Sequence, residues 1–460
     1  MKVTKEISPY IFRGYDIRGV YNETLNEDIA YTIGKSYGSY ILDLGKKSCI
    51  IGHDNRLSSP SLVHALIEGI LETGVDVTDL GLVTTPMYYY AGIKLQNPSG
   101  IMVTASHNPK DDNGFKFAFD ERGNARGEMI EQFYTYTIAG NFKEGKGILS
   151  TYDIRKEYIE LMKKSLSFGN RKVKAVIDLG NGTTSIIAKE LYENFPIDLT
   201  VLFGESDARF PNHHPDPCVE SNLTALKEKV KELHADVGIG FDGDGDRVGI
   251  VDEKGNYIPT DLYMIIIIRN IIDKVQNKTF LYDVKCSKAL EDEIRKLGGN
   301  PYCYRTGNSY TKAKVKELDM PFGGELSGHV YFRDKFPGFD SGLYAGLRLL
   351  EILSHTDQKV SDLLADIPKY YATEELKFAS PDTLKMSVVE KVKDYCIEKG
   401  YSFLDIDGVK ASFEDGFALV RASNTGPNLT ARFEAKTELR LKEIEDEFIS
   451  LIEKYNTVDK

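Results

Sequence analysis

Ser48-Cys49-Ile50-Ile51-Gly52-His53-Asp54 is a short β-branched run that turns polar at its end. The period then changes: over residues 59–73, Leu62, Leu66, Ile67, Ile70 and Leu71 fall on one face of a helix. A strand feeding a polar loop and then a helix is the repeating unit of an α/β sheet. Residues 100–105 read as a second strand, again ending in a polar loop. The pattern restarts at 172–178, with a helix expected to about residue 195, and again at 279–284, with a helix to about residue 297. Recurrence at this spacing predicts three related α/β domains, with boundaries near residues 151 and 254 and a last one near 369. The final segment differs: strands at 416–421 and 430–435 precede a helix that turns Leu441, Ile444, Phe448, Leu451, Ile452 and Tyr455 inward, a small α+β domain. The expected division is therefore 1–150, 151–254, 255–368 and 369–460.

The chain has 460 residues, enough for three or four domains and for sizeable cores without staples. It carries 58 basic and 70 acidic residues, a net charge of −12. A general nucleic-acid binder needs a basic footprint, so that class is excluded. A basic cleft inside an acidic shell is not. Cys49, Cys218, Cys286, Cys303 and Cys396 are scattered and form no C-x-x-C pair, which argues against a disulfide framework or a thiolate zinc site. The opening residues hold no apolar core of signal-peptide length. The apolar run at 263–272, interrupted by Arg269, is too short for a bilayer span of about 20 residues and reads as a buried helix. A cytoplasmic protein without membrane or nucleic-acid partners is expected.

Four motifs bear chemistry. Thr104-Ala105-Ser106-His107-Asn108-Pro109 follows a strand, where open α/β sheets place their sites; it reads either as a phosphate-carrying serine or as a plain polar turn. Asp242-Gly243-Asp244-Gly245-Asp246-Arg247 sets three carboxylates two residues apart, with glycines that let the backbone curl. Such convergence suits a hard, oxygen-seeking cation, and the later ligands of an EF-hand are missing. Gly323-Gly324-Glu325-Leu326-Ser327-Gly328-His329 suits a loop closing on a hydroxylated ligand, and Arg421-Ala422-Ser423-Asn424-Thr425-Gly426 forms a phosphate-sized cradle. One motif falls in each segment, which a site assembled at the junction of four domains explains better than four independent turns.

In order and along the whole chain, these motifs, with Tyr15-Asp16-Ile17-Arg18-Gly19, resemble those of the α-D-phosphohexomutase family, in particular its phosphomannomutase/phosphoglucomutase members. The resemblance implies three α/β domains with mixed sheets flanked by helices, plus the smaller C-terminal domain, around a central cleft. It implies a phosphoserine at Ser106 and Mg²⁺ held by Asp242, Asp244, Asp246 and a phosphoryl oxygen of Ser106. A hexose 1,6-bisphosphate would be both intermediate and activator. By the same resemblance, Arg247 orients the sugar or the metal loop, and Lys116, Arg18 and His329 move protons or stabilise charge. Glu325 and Ser327 bind sugar hydroxyls, Arg421, Ser423, Asn424 and Thr425 grip the idle phosphate, and Tyr15, His107, Lys285 and Asn308 complete the cleft. Asn308 departs from the histidine often found there in bifunctional members. Leu326 stands where phosphoglucosamine mutases typically carry a polar residue, which tilts away from an amino sugar. The implied reaction interconverts mannose or glucose 1- and 6-phosphates, in a monomer or weak homo-oligomer. Phosphoglucosamine mutation, a serine-dependent metal phosphohydrolase and a non-catalytic sugar-phosphate sensor are the competing readings.

Overall fold

The computed structural model describes residues 1–423 and 426–457. Its first sheet runs in the order Ile17–Val20, Asp112–Ala118, Gly100–Val103, Ser48–His53, Asp76–Leu82, Leu149–Thr151. The inner strands are parallel, as crossover helices such as Ser59–Leu71 require. Asp112–Ala118 then folds back antiparallel on Gly100–Val103.

The next two sheets repeat this device. Val173–Asp178 lies parallel to both Ile197–Leu202 and Val237–Phe241, and Val248–Asp252 returns antiparallel on the latter. Thr279–Asp283 lies parallel to Asn300–Tyr304 and Phe322–Gly324, and Val330–Phe332 returns antiparallel. The fourth sheet is wholly antiparallel, with Gly416–Ala422 and Asn428–Ala435 at its centre. The serine, aspartate and sugar-loop motifs therefore occupy the same topological position in three sheets: the connection between the last parallel strand and its antiparallel return. The Arg421 motif likewise lies at a hairpin turn.

One apolar core runs through the first three sheets, from Ile50 and Met102 through Ile177, Ile239 and Phe241 to Met264, Phe322 and Leu343. It fixes the three loops relative to one another. The C-terminal sheet has a core of its own, capped by Asp382–Lys399 and Glu438–Tyr455. Residues 263–272 lie mostly within the buried helix Thr260–Ile271, as their apolar run predicts. Among the described residues no helix is long and apolar enough to cross a membrane.

One expected element is broken. After Asp178 the chain forms a 3-10 turn, Thr183–Ile186, and only a short helix, Ala188–Tyr192, instead of one helix to residue 195. Thr183, Thr184 and Ser185 in succession combine β-branching with hydroxyls that compete for backbone groups.

Candidate active site

Ser106 has a φ of +51°, the left-handed region that a residue with a Cβ seldom adopts. Its N–H donates to Thr104 Oγ1 at 2.8 Å, and Arg56 donates to its carbonyl at 2.9 Å. The side chain is 3% exposed, and its Oγ donates to Asp242 Oδ2 at 2.8 Å.

Asp242, Asp244 and Asp246 are all fully buried. The loop curls because the N–H groups of Gly245 and Arg247 both donate to Asp242 Oδ1, at 3.0 and 3.1 Å. Three neighbours pin it: Thr85 N donates to Asp244 O, Thr183 N to Gly243 O and Gly342 N to Gly245 O, at 2.9, 2.8 and 3.0 Å. Gly243 is required by contact, because a Cβ there would stand 2.5 Å from the Ser106 carbonyl oxygen. Thr85 Oγ1 and Thr104 Oγ1 also donate to Asp244 Oδ2, at 2.7 and 3.2 Å.

Lys116 bridges two of the carboxylates, its Nζ 2.8 Å from Asp244 Oδ2 and 2.6 Å from Asp246 Oδ2. Burial alone would pull its pKa down, but the two aspartates hold it well above the ordinary lysine range. Burial, then Asp244 and Asp246, push Asp242 well above the usual carboxylate range. Burial, then Arg247 and Arg18, hold the His107 imidazole well below its ordinary pKa and so neutral. Arg247 Nε donates to His329 Nε2 at 3.0 Å, while His329 Nδ1 lies 2.9 Å from Asp340 Oδ2.

Tyr15, Arg18, Ser106, His107, Lys116, Arg247, Asn308 and His329 all line one cavity of about 520 Å³. Arg18 is held by Asp16 and donates to Thr104 O at 2.8 Å. Asn308 Nδ2 reaches Asp340 Oδ2 at 3.4 Å. Lys285, Glu325 and Arg421 are not in that lining, and a relay of polar contacts links Arg421 to the loop of Glu325. Lys285 pairs with Glu375 at 3.4 Å, and Arg421 with Asp407 at 2.9 Å. Asp407 in turn accepts from Thr306 N, and Thr306 Oγ1 donates to Asp283 Oδ2, both at 3.0 Å. Asp283 Oδ1 accepts from Leu326 N at 3.2 Å. Glu325 Oε1 accepts from Gly307 N and from Thr311 Oγ1. Ser327 is half-buried beside it, Leu326 leans on the central core, and Ser423 is buried. Asn424 and Thr425 lie outside the described residues.

Ligand oxygens of Asp242, Asp244 and Asp246 lie within 4.8 Å of one another. Asp244 Oδ1 and Asp246 Oδ1 are buried without a hydrogen-bond partner, so the set has oxygen valence left for a hard cation. Asp246, His329 and Asp340 are grouped as tightly, but there both His329 nitrogens already face Arg247 and Asp340, and Asp340 is paired with Lys312. The aspartate triad is the better fit.

Family comparisons match four segments of the chain. Models of phosphoglucomutase/phosphomannomutase α/β/α domains I, II and III match residues 9–144, 156–255 and 259–371, and the model of its C-terminal domain matches 357–451. The chain belongs to the phosphoglucomutase/phosphomannomutase family. A phosphomannomutase/phosphoglucomutase of Pseudomonas syringae pv. tomato is 40% identical over 446 residues, which cover 96% of this chain and 95% of the relative. A phosphoglucomutase of Neisseria gonorrhoeae is 37% identical, with 96% of each chain covered. The crystal structure of a phosphoglucomutase/phosphomannomutase family protein from Burkholderia thailandensis superposes with a TM-score of 0.91 at 36% identity, covering 99% of each chain.

Several residues of this family site carry no sequence signal of their own. Asp340 and Lys312 come from separate elements and meet at 3.0 Å only in the fold. Thr85 reads as an ordinary residue beside Pro86 at a helix start, yet it holds the aspartate loop through both backbone and side chain. Arg56 is hidden beneath the serine loop.

Proposed function

We propose that this chain interconverts hexose 1-phosphates and hexose 6-phosphates, of mannose or glucose, by carrying a phosphoryl group on Ser106. The observation that carries this reading is the Ser106 hydroxyl bonded to Asp242 inside a buried carboxylate triad, at the floor of a cavity walled by cations. In the reaction the Ser106 Oγ–P bond breaks as a sugar hydroxyl oxygen bonds to phosphorus, leaving the serine free and a hexose 1,6-bisphosphate in the cleft. The bisphosphate turns around and returns its other phosphoryl group to Ser106. Serine suits the role because its phosphate ester resists hydrolysis while the cleft is open.

Phosphoryl transfer needs positioning and charge stabilisation more than covalent chemistry. Asp242, Asp244 and Asp246, with a phosphoryl oxygen on Ser106, would hold Mg²⁺, which when bound offsets charge on the transferring group. Lys116, kept as an ammonium by two carboxylates, and Arg247 stabilise the equatorial oxygens. His329 can take the hydroxyl proton on Nε2 once Arg247 Nε turns from it to the phosphoryl group, with Asp340 holding the Nδ1 side. Arg18 and His107 face the phosphorylated serine, and Tyr15 and Asn308 line the sugar. Glu325 and Ser327 read sugar hydroxyls, and Lys285, Arg421, Ser423, Asn424 and Thr425 hold the idle phosphate. Because Leu326 leans on the core, discrimination against an amino sugar would act through the shape of its loop.

A coupled assay with glucose, mannose and glucosamine 1-phosphates, primed with bisphosphate, tests the reading on wild type and Ser106→Ala. Turnover of the two neutral sugars that disappears in the variant is expected. Undiminished turnover of the variant would remove the phosphoserine mechanism. Stoichiometric release of inorganic phosphate would make the protein a phosphohydrolase, and comparable kcat/KM for glucosamine 1-phosphate would remove the substrate assignment.

A further inference from the structure

Arg56 is not among the residues lining the cavity and is 1% exposed, yet it spends four of its five N–H donors on the loop that bears Ser106. A guanidinium has five N–H donors in a fixed plane. Nε donates to Asp54 Oδ2 at 3.1 Å. One terminal nitrogen donates to the carbonyls of Pro109 and Asp112, the latter at 2.9 Å. The other donates to the carbonyls of Ser106 and Asn108, at 2.9 and 2.7 Å. Every donor has its own acceptor, and four of the five acceptors belong to residues 106–112.

The guanidinium is itself held from behind. Asp54 Oδ1 accepts from Arg56 N at 3.0 Å and from Ser59 Oγ at 2.6 Å. Asn113 Nδ2, at the far end of the loop, donates to Ser58 and Ser59 Oγ at 2.8 and 3.0 Å. The Phe210 ring lies 5.6 Å from the guanidinium carbon. Meanwhile the left-handed φ of Ser106 is a conformation that persists only where its surroundings impose it.

We propose that Arg56 is the positioning residue of the phosphoryl-carrying loop: its fork holds four carbonyls of residues 106–112 so that the Ser106 side chain stays aimed at Asp242 while the ligand turns over. The proposal rests on Ser106 being the carrier. Lysine cannot substitute, because its three donors radiate from one point and cannot reach four carbonyls and Asp54 from a plane. Arg18 and Arg247, which face the ligand, are untouched by the change.

The test is Arg56→Lys, with rates expressed per folded molecule, beside Ser106→Ala. A fall in kcat of about 30- to 100-fold is expected, since misplacing a reacting group by ~1 Å costs about 10²-fold. The KM for the hexose 1-phosphate should stay within about threefold, because ligand contacts survive. Guanidinium chloride below denaturing concentration should restore part of the kcat of Arg56→Ala, and sodium chloride should not. A folded Arg56→Lys with wild-type kcat, or a loss confined to melting temperature, would overturn the proposal. If Arg56→Lys does not fold, Asp54→Asn carries the test: lowered kcat at constant KM supports it and wild-type kcat overturns it. Ser106→Ala at full turnover would instead remove the phosphoserine reading itself, so the two failures are distinct.

Discussion

Ser106 Oγ and Asp242 Oδ2 meet at 2.8 Å across 136 residues of sequence, a direct link between the loop of the first sheet and that of the second. Both groups are buried, so the contact is made in a low-dielectric setting where charge placement counts for more than it does in water. Asp242→Asn keeps the shape and removes the charge. It is expected to lower kcat by about 10²- to 10³-fold, the usual cost of deleting one preorganised electrostatic group. Half-maximal activation should also move to higher Mg²⁺. A metal titration that superposes on wild type would count against Asp242 as a ligand.

Lys116 is the only cation in direct ion-pair contact with both Asp244 and Asp246 among the described residues. Removing one partner of a buried ion pair costs about 3–5 kcal/mol, because the remaining charges stay buried and unanswered. Lys116→Met should therefore lower the melting temperature in EDTA well below wild type. Millimolar Mg²⁺ should return part of the loss, since ligand at 100 times its Kd stabilises by about 2.7 kcal/mol. Identical melting curves of the variant with EDTA and with Mg²⁺ would show that the triad does not take the ion.

Gly243 tests how closely the serine and aspartate loops must approach. Its φ is not in the left-handed region, so alanine suits its backbone and would ordinarily stabilise by about 0.4–1 kcal/mol. The added Cβ would instead sit 2.5 Å from Ser106 O, and neither backbone can yield without moving Ser106. Gly243→Ala is expected to fold and to lose at least about tenfold in kcat, in line with the cost of a displaced reacting group. Wild-type kinetics would show that the loops slide without consequence.

What the sequence made legible follows from period and punctuation. The run at 48–54 and its successors announce strands, and glycines between aspartates announce a curled loop. Period says nothing, however, about which loops share a topological position, and the equivalence of the Ser106, Asp242 and Glu325 loops emerges only from strand order. Nor does it reveal second partners. A lone lysine is ordinarily solvated, but the strand Asp112–Ala118 carries Lys116 inside it, opposite Met102 and one strand from the serine loop, where it is 6% exposed. Arg56 and Asp340 escape sequence reading for the same reason: the carbonyls that accept from Arg56 and the Asn308 and Lys312 groups that donate to Asp340 are brought by other segments. The helix lost after Thr183 fails locally, because hydroxyl and β-branched residues crowd its first turn.

His213 gives a prediction about stability. Its Nε2 lies 3.1 Å from Asp178 Oδ1 at the end of a buried strand, and its Nδ1 lies 2.9 Å from the His214 carbonyl. Both ring nitrogens thus face acceptors, an arrangement only the imidazolium satisfies fully. Burial opposes the charge, but the bond to Asp178 and its field win, and the pKa is raised above its ordinary 6.5. A group whose folded pKa is raised contributes stability that is fully present below the unfolded value and is lost as pH rises through the folded one. Wild type should therefore exceed His213→Gln in melting temperature by most near pH 5.5, with the gap narrowing above pH 6.5, while kcat of the variant stays near wild type. A gap that widens as pH rises would reverse the sign and remove the Asp178–His213 pair as its source.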